Sequence, residues 1–237
     1  VAAKIQTDML PKGYPPFPER RDFDLFASMT PAKEVGGDLY DYLLLDEDHL
    51  MITVGDVSGK GVPAALFMGK CKVLLDFYAY LRLSPKDIFE KANEQLCKGN
   101  ESALFVTCWL GIYTFSKQEL TFVNAGHPYP IIYKNGEYAL LKEKPNIILG
   151  YLENTKFVEH TVSLKKGEKI FIYTDGVTEA ENIKQELFGE KRLLEIIKTT
   201  EKKNAMSSLA TVKEEIDNFA GNAEQFDDIT MLQFEIL

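Results

Sequence analysis

The sequence predicts an α+β fold, a four-layer α/β/β/α sandwich of two antiparallel sheets flanked by helical hairpins. Three observations carry this. Strand-like apolar runs are followed by two helices, a series of hairpin-spaced strands, two more helices and a last strand. No βαβ alternation appears, which argues against a parallel doubly wound sheet and for antiparallel sheets packed face to face. The middle runs are joined by hairpin chemistry, most clearly at Asn135-Gly136, a type I′ signal.

Residues Val1–Leu10 read as the end of a helix, with Ile5 and Met9 at i,i+4 spacing. Pro11, Pro15, Pro16 and Pro18 break it. A helix that runs into a proline-rich link usually continues from something upstream. Residues 1–20 are thus expected to be a linker-helix end and connector, and residues 21–237 the folded domain.

Asp24–Met29, Leu39–Leu45 and Leu50–Val57 read as strands. Val62–Leu83 is helical, with Pro63 suited to the first turn. Ser84-Pro85-Lys86-Asp87 opens a second helix, reaching about Lys98, with the pattern of a capping box. Ala103–Phe115 and Glu119–Ala125 form a hairpin across Ser116-Lys117-Gln118. Ile131–Tyr133 and Tyr138–Leu141 flank the Asn135-Gly136 turn, and Phe157–Ser163 and Glu168–Thr174 are joined around Lys165-Lys166-Gly167. Helices at about Glu190–Lys198 and Ala205–Phe219 precede the strand Ile229–Leu237.

A chain of 237 residues can bury a sizeable core, and a β-rich sandwich of this length is common as one domain. The net charge of −9, with no basic stripe, argues against a nucleic-acid partner. It suits a protein that concentrates cations, although solubility explains it equally well. Cys71, Cys97 and Cys108 are odd in number and lack CxxC spacing, so neither a disulfide framework nor a zinc site is indicated. They read as reduced core or near-core residues of a cytoplasmic domain. No apolar run has the length of a membrane span, and no signal peptide is visible.

Four short segments put an aspartate beside glycine or at the edge of an apolar run. They are Gly36-Gly37-Asp38, Gly55–Gly61 with Asp56, Tyr173-Thr174-Asp175-Gly176, and Phe226-Asp227-Asp228-Ile229-Thr230. Converging carboxylates repel one another unless a cation lies between them. Oxygen-only ligands point to Mg²⁺, Mn²⁺ or Ca²⁺. Gly55–Gly61 fails as a Walker A loop, since three residues separate Gly55 from Gly59 and Gly61 follows Lys60. As an EF-hand it would place Phe67 where a bidentate Glu belongs.

Each segment has a plain reading as a turn or a strand start, and one coincidence would be weak. The hairpin register is more telling. Leu39–Leu45 and Leu50–Val57 are joined by Asp46-Glu47-Asp48, which brings Asp38 near Asp56. His127, in Asn124-Ala125-Gly126-His127-Pro128, is a lone histidine, and such residues are more often structural than catalytic. No Gly-x-Ser-x-Gly elbow or His/Cys nucleophile pattern occurs.

Taken together, Val35–Asp41, Gly55–Ala65, Asn124–Pro128, Tyr173–Ala180, Leu187-Phe188-Gly189 and Asp227–Thr230 resemble the PPM-type (protein phosphatase 2C-like) serine/threonine phosphatases. More narrowly, they resemble the bacterial SpoIIE and sigma-factor-regulator branch, from about Gln6 to the C-terminus. The resemblance implies two Mn²⁺ or Mg²⁺ ions, with a third, weaker one allowed, and hydrolysis by a metal-activated water without a protein nucleophile. By the family pattern Asp56 bridges the two ions and the Val57 carbonyl binds one. Asp175 and Asp227 hold one ion, and Asp38 supports the other, directly or through water. Gly37, Ser58, Lys60, His127 and Asp228 are candidates for contacts with substrate or with the ligands.

The arginine that eukaryotic relatives use for phosphate has no evident equivalent, since Arg20 and Arg21 lie in the linker. The implied substrate is a phosphoserine or phosphothreonine on a small anti-sigma-factor antagonist protein. The implied partners are an upstream sensor or regulatory domain in the same chain and a second copy packed through the N-terminal helix. The rival expectation is a catalytically silent signalling module of the same fold.

Overall fold

A computed structural model of the chain describes residues 2–237; Val1, the first residue of the expected N-terminal helix, lies outside the described residues. The expected α+β class is what the structure contains: among the described residues there are two five-stranded antiparallel sheets and six helices. The chain divides into two compact units.

The first unit comprises the residues through Pro11, 33–127 and 143–164. It holds α1 (Ala2–Met9), β2 (Leu39–Leu44), β3 (His49–Val57), α2 (Val62–Tyr80), α3 (Pro85–Cys97), β4 (Val106–Thr114), β5 (Glu119–Ala125) and β8 (His160–Ser163). The sheet order is β2-β3-β4-β5-β8. Phe67, Met68, Cys71 and Leu75 of α2 and Ile88, Phe89 and Leu96 of α3 are buried, and both helices pack on this sheet. Ser84 caps α3 as its sequence predicts, accepting a hydrogen bond from the Asp87 N–H at 3.4 Å. The α2 helix stops at Tyr80, short of the expected Leu83, because Arg82 turns to φ +60°. Its guanidinium donates to the Leu45 carbonyl and lies 2.9 Å from Asp46.

The second unit comprises residues 12–32, 128–142 and 165–237. It holds β1 (Phe23–Thr30), β6 (Ile131–Lys134), β7 (Glu137–Leu140), β9 (Lys169–Tyr173), α4 (Asp175–Thr178), α5 (Glu190–Thr199), α6 (Ala205–Ala220) and β10 (Ile229–Ile236). The sheet order is β1-β10-β9-β6-β7. Phe171, Tyr173 and Met231 of the sheet pack with Leu193, Ile197, Leu209, Val212 and Ile216 of α5 and α6. Asn135 and Gly136 both have positive φ, as the type I′ turn requires.

Two features depart from a simple reading along the chain. The consecutive strands β8 and β9 belong to different sheets: β8 pairs with β5, and β9 with β10 and β6. The segment after Tyr173, for which a turn is the plain alternative reading, is the short helix α4. Among the described residues no helix is long and apolar enough to cross a membrane.

Candidate metal centre

In the first unit the β2–β3 ladder pairs Leu39 with Gly55, so Asp38 and Asp56 stand at the same end of the hairpin, as its short turn requires. Asp38 is 1% exposed, whereas Asp56 is partly exposed. The Val57 N–H donates to the Gly37 carbonyl at 3.3 Å, which extends the pairing past the ladder. A β-carbon on Gly37 would lie 2.6 Å from the Val57 carbonyl oxygen and 3.3 Å from Asp56 Oδ1. Only glycine lets the backbone pass there.

In the second unit the end of β9 is clipped to the start of β10. The Thr174 N–H donates to the Thr230 carbonyl at 3.0 Å, and the Thr230 N–H to Thr174 Oγ1 at 3.1 Å. Asp175 follows as the first residue of α4, and Asp227 precedes β10, so the two stand at one end of neighbouring strands. Gly176 packs on the same backbone: a β-carbon there would fall 2.0 Å from the Asp228 carbonyl oxygen. Glu179 is pushed above the usual carboxylate range by partial burial, then by the charges of Asp175 and Asp227. Beside Asp227 lies a cavity of about 180 Å³, with Glu179, Glu181, Asp217 and Glu224 in its wall.

Among the described residues no group of three or more His, Cys, Asp or Glu is arranged to hold a metal ion by itself. The donors still suit a hard divalent cation. They are carboxylate and backbone carbonyl oxygens, and Mg²⁺ keeps several waters while using one or two carboxylates. The absence of a side chain on Gly37, beside the Val57 carbonyl and the Asp56 carboxylate, leaves those two oxygens uncrowded.

The remaining candidates divide by environment. Asp228 is buried and its Oδ1 accepts the Ala32 N–H at 2.8 Å, so it braces the chain before β2. Its own N–H donates to Asp227 Oδ1 at 2.9 Å. Ser58 Oγ accepts the Phe105 N–H at 2.9 Å, a loop contact. His127 is 4% exposed, its Nδ1 lies 3.1 Å from Thr107 Oγ1, and its backbone is held on both sides by the Asn124 amide. That is a structural setting. Lys60 is exposed in the turn after Asp56. Arg20 is engaged by Asp22, with Nε 2.8 Å and Nη2 2.5 Å from its carboxylate oxygens. Burial pushes the Cys71 and Cys108 thiols up, Cys108 to about 12, which removes them as thiolate nucleophiles.

Two polar arrangements have no signal in the local sequence. Gln6, buried on α1, brackets the backbone of Gly36 with its amide. Lys72 of α2 joins the buried Asp41 of β2 to Asp76. Lys72 and Asp76 have the ordinary i,i+4 helix spacing, but Gly36 and Asp41 lie 30 and 31 residues from Gln6 and Lys72, and no spacing rule reaches so far.

The family model for stage II sporulation protein E (SpoIIE) matches residues 46–237, which include Asp56, Asp175 and Asp227. Phosphoserine phosphatase RsbU of Bacillus subtilis is 28% identical over 180 residues, covering 76% of this chain and 52% of RsbU. The chain thus spans about half the length of that relative. The SiaA-PP2C domain of Pseudomonas aeruginosa superposes with a TM-score of 0.87 at 22% identity, covering 100% of this chain and 94% of that one. RsbX in complex with magnesium superposes with a TM-score of 0.68 at 20% identity, covering 92% of this chain and 98% of that one. The two superpositions show a shared fold.

Proposed function

Since the chain belongs to the stage II sporulation protein E family, we propose that it is a metal-dependent protein phosphatase acting on phosphoserine or phosphothreonine monoesters. The observation that carries the reading is the packing of Gly37 against the Val57 carbonyl and the Asp56 carboxylate, at the hairpin end that also holds buried Asp38. The residues that would hold two Mn²⁺ or Mg²⁺ ions are Asp38, Asp56 and the Val57 carbonyl of the first unit, and Asp175 and Asp227 of the second. The magnesium bound by RsbX supports the choice of ion. When bound, such ions acidify water and neutralise a phosphoryl group.

The chain's own residues supply placement. Gly37 leaves the Val57 carbonyl and the Asp56 carboxylate undisturbed. The clip between Thr174 and Thr230 fixes the ends from which Asp175 and Asp227 project. Exposed Lys60, four residues after Asp56, offers a cation to the substrate phosphate.

The substrate class rests on the likeness to RsbU, a phosphoserine phosphatase; the resemblance to the sigma-factor-regulator branch favours a small anti-sigma-factor antagonist protein as substrate. The greater length of RsbU supports a regulatory region in the same protein. Ile5 of α1, 60% exposed, supports a second copy packing against that helix, which light scattering of the full-length protein tests.

The deciding experiment is hydrolysis of p-nitrophenyl phosphate with Mn²⁺, with and without chelator, for wild type and Asp56→Asn. Metal-dependent hydrolysis lost in the variant is expected. Activity that survives chelation, or is unchanged in Asp56→Asn, overturns the reading. No activity with any metal favours a silent binding module.

A further inference from the structure

The loop that delivers Asp38 is held by a side chain from a helix 30 residues earlier in the chain. Gln6 Nε2 donates to the Gly36 carbonyl at 2.7 Å, and the Gly36 N–H donates to Gln6 Oε1 at 3.0 Å. Gln6 is 6% exposed and Gly36 is also buried. One amide thus satisfies both backbone groups of Gly36, as a paired strand would. Immediately beyond, Gly37 accepts from Val57 and Leu39 enters the β2–β3 ladder. Asp38 therefore stands between two fixed points, the ladder on one side and the Gln6 amide on the other.

The rest of α1 is anchored without this amide. Leu10 is 4% exposed, the Tyr40 hydroxyl donates to the Pro11 carbonyl at 2.9 Å, and Met9 lies over Gly69 of α2. Loss of the Gln6 amide would leave the helix end in place while freeing Gly36.

We propose that Gln6 is a positioning residue that sets the placement of the Asp38 carboxylate and thereby the affinity of the site for its divalent ion. The inference rests on the reading of Asp38 as a metal ligand. Glutamine is the side chain that fits, because it presents a donor and an acceptor side by side. Glutamate retains only the bond from the Gly36 N–H and sets a charge against the Gly36 carbonyl. Alanine retains neither.

The test titrates the metal-free protein with Mn²⁺ and follows free Mn²⁺ by electron paramagnetic resonance. Wild type, Gln6→Ala, Gln6→Glu and Met9→Ala are compared, and folding is checked by circular dichroism. Gln6→Ala is expected to bind Mn²⁺ at least about tenfold more weakly, the loss typical of groups that orient a metal ligand. Gln6→Glu is expected to fall between it and wild type, and hydrolysis by both should recover as Mn²⁺ is raised. Met9→Ala is expected to lower the melting temperature and leave Mn²⁺ affinity unchanged.

Wild-type affinity in folded Gln6→Ala overturns the inference, as does an equal loss in Met9→Ala. Should Gln6→Ala fail to fold, Gln6→Glu decides by the same measure, and wild-type affinity there overturns it. A wild-type protein that binds no Mn²⁺ overturns the metal reading itself, and this inference with it.

Discussion

Gly37 and Val57 approach so closely that a single methyl group at position 37 would stand 2.6 Å from the Val57 carbonyl oxygen. The contact is backbone against backbone, so no flexible side chain can yield. Gly37→Ala is expected to displace either the Val57 carbonyl or the loop carrying Asp38. The cost in stability should be about 1–3 kcal/mol, the usual range for overpacking. Turnover should fall by about a hundredfold, since small displacements at a reacting centre are amplified. Urea unfolding and Mn²⁺-dependent hydrolysis measure the two effects separately.

Adjacent aspartates should behave differently. Asp228 holds the Ala32 N–H, so Asp228→Ala leaves a part-buried donor without its partner and should cost about 1–3 kcal/mol. Asp227, which the proposed function makes a metal ligand, should lose metal-stimulated hydrolysis as Asp227→Asn with little change in melting temperature. Equal losses of stability in the two variants would contradict the division of roles.

Lys72 is the only cation contacting both Asp41 and Asp76 in the ion pairs among the described residues, and Asp76 Oδ1 is buried with no partner. Lys72→Met would leave the buried Asp41 and the part-buried Asp76 without a counter-charge. A loss of about 3–5 kcal/mol is expected, far above that of an exposed pair. Chemical denaturation of the variant at neutral pH checks this.

The same group gives a pH signature. Burial, then the neighbouring Asp76, pushes the Asp41 carboxyl from its ordinary 3.8 up to about 7, with Lys72 pulling the other way. Between those values the native carboxyl keeps a proton that the unfolded chain has released. Stability from this site therefore falls as pH rises through that window and levels off above about 7. Asp41→Asn should flatten this part of the stability profile. Denaturant midpoints of both proteins at about pH 5 and about pH 8 supply the comparison.

Much of the molecule was legible along the chain because its signals are local. The type I′ turn at Asn135-Gly136, the Ser84 cap and the pairing of Leu39 with Gly55 depend on residues close in sequence, and each formed as expected. Pairings over long distances were not legible. Nothing in β1 names β10 as its neighbour, and nothing in the Lys165-Lys166-Gly167 turn says that β8 and β9 enter different sheets. The end of α2 moved for a similar reason: Arg82 turns out of the helix to reach Leu45 and Asp46.

The sequence by itself determined the α+β class, nearly every element, the acidic segments and the oxygen-only chemistry they can offer. Periodicity, turn residues and side-chain type are properties of short stretches. Tertiary structure alone decided which partner each buried polar group takes. It assigned Asp228 to the Ala32 N–H, His127 to Thr107, and the Gln6 amide to Gly36. Those assignments follow from which donors and acceptors are buried together when distant segments meet, since a buried polar group must find a partner wherever the fold supplies one.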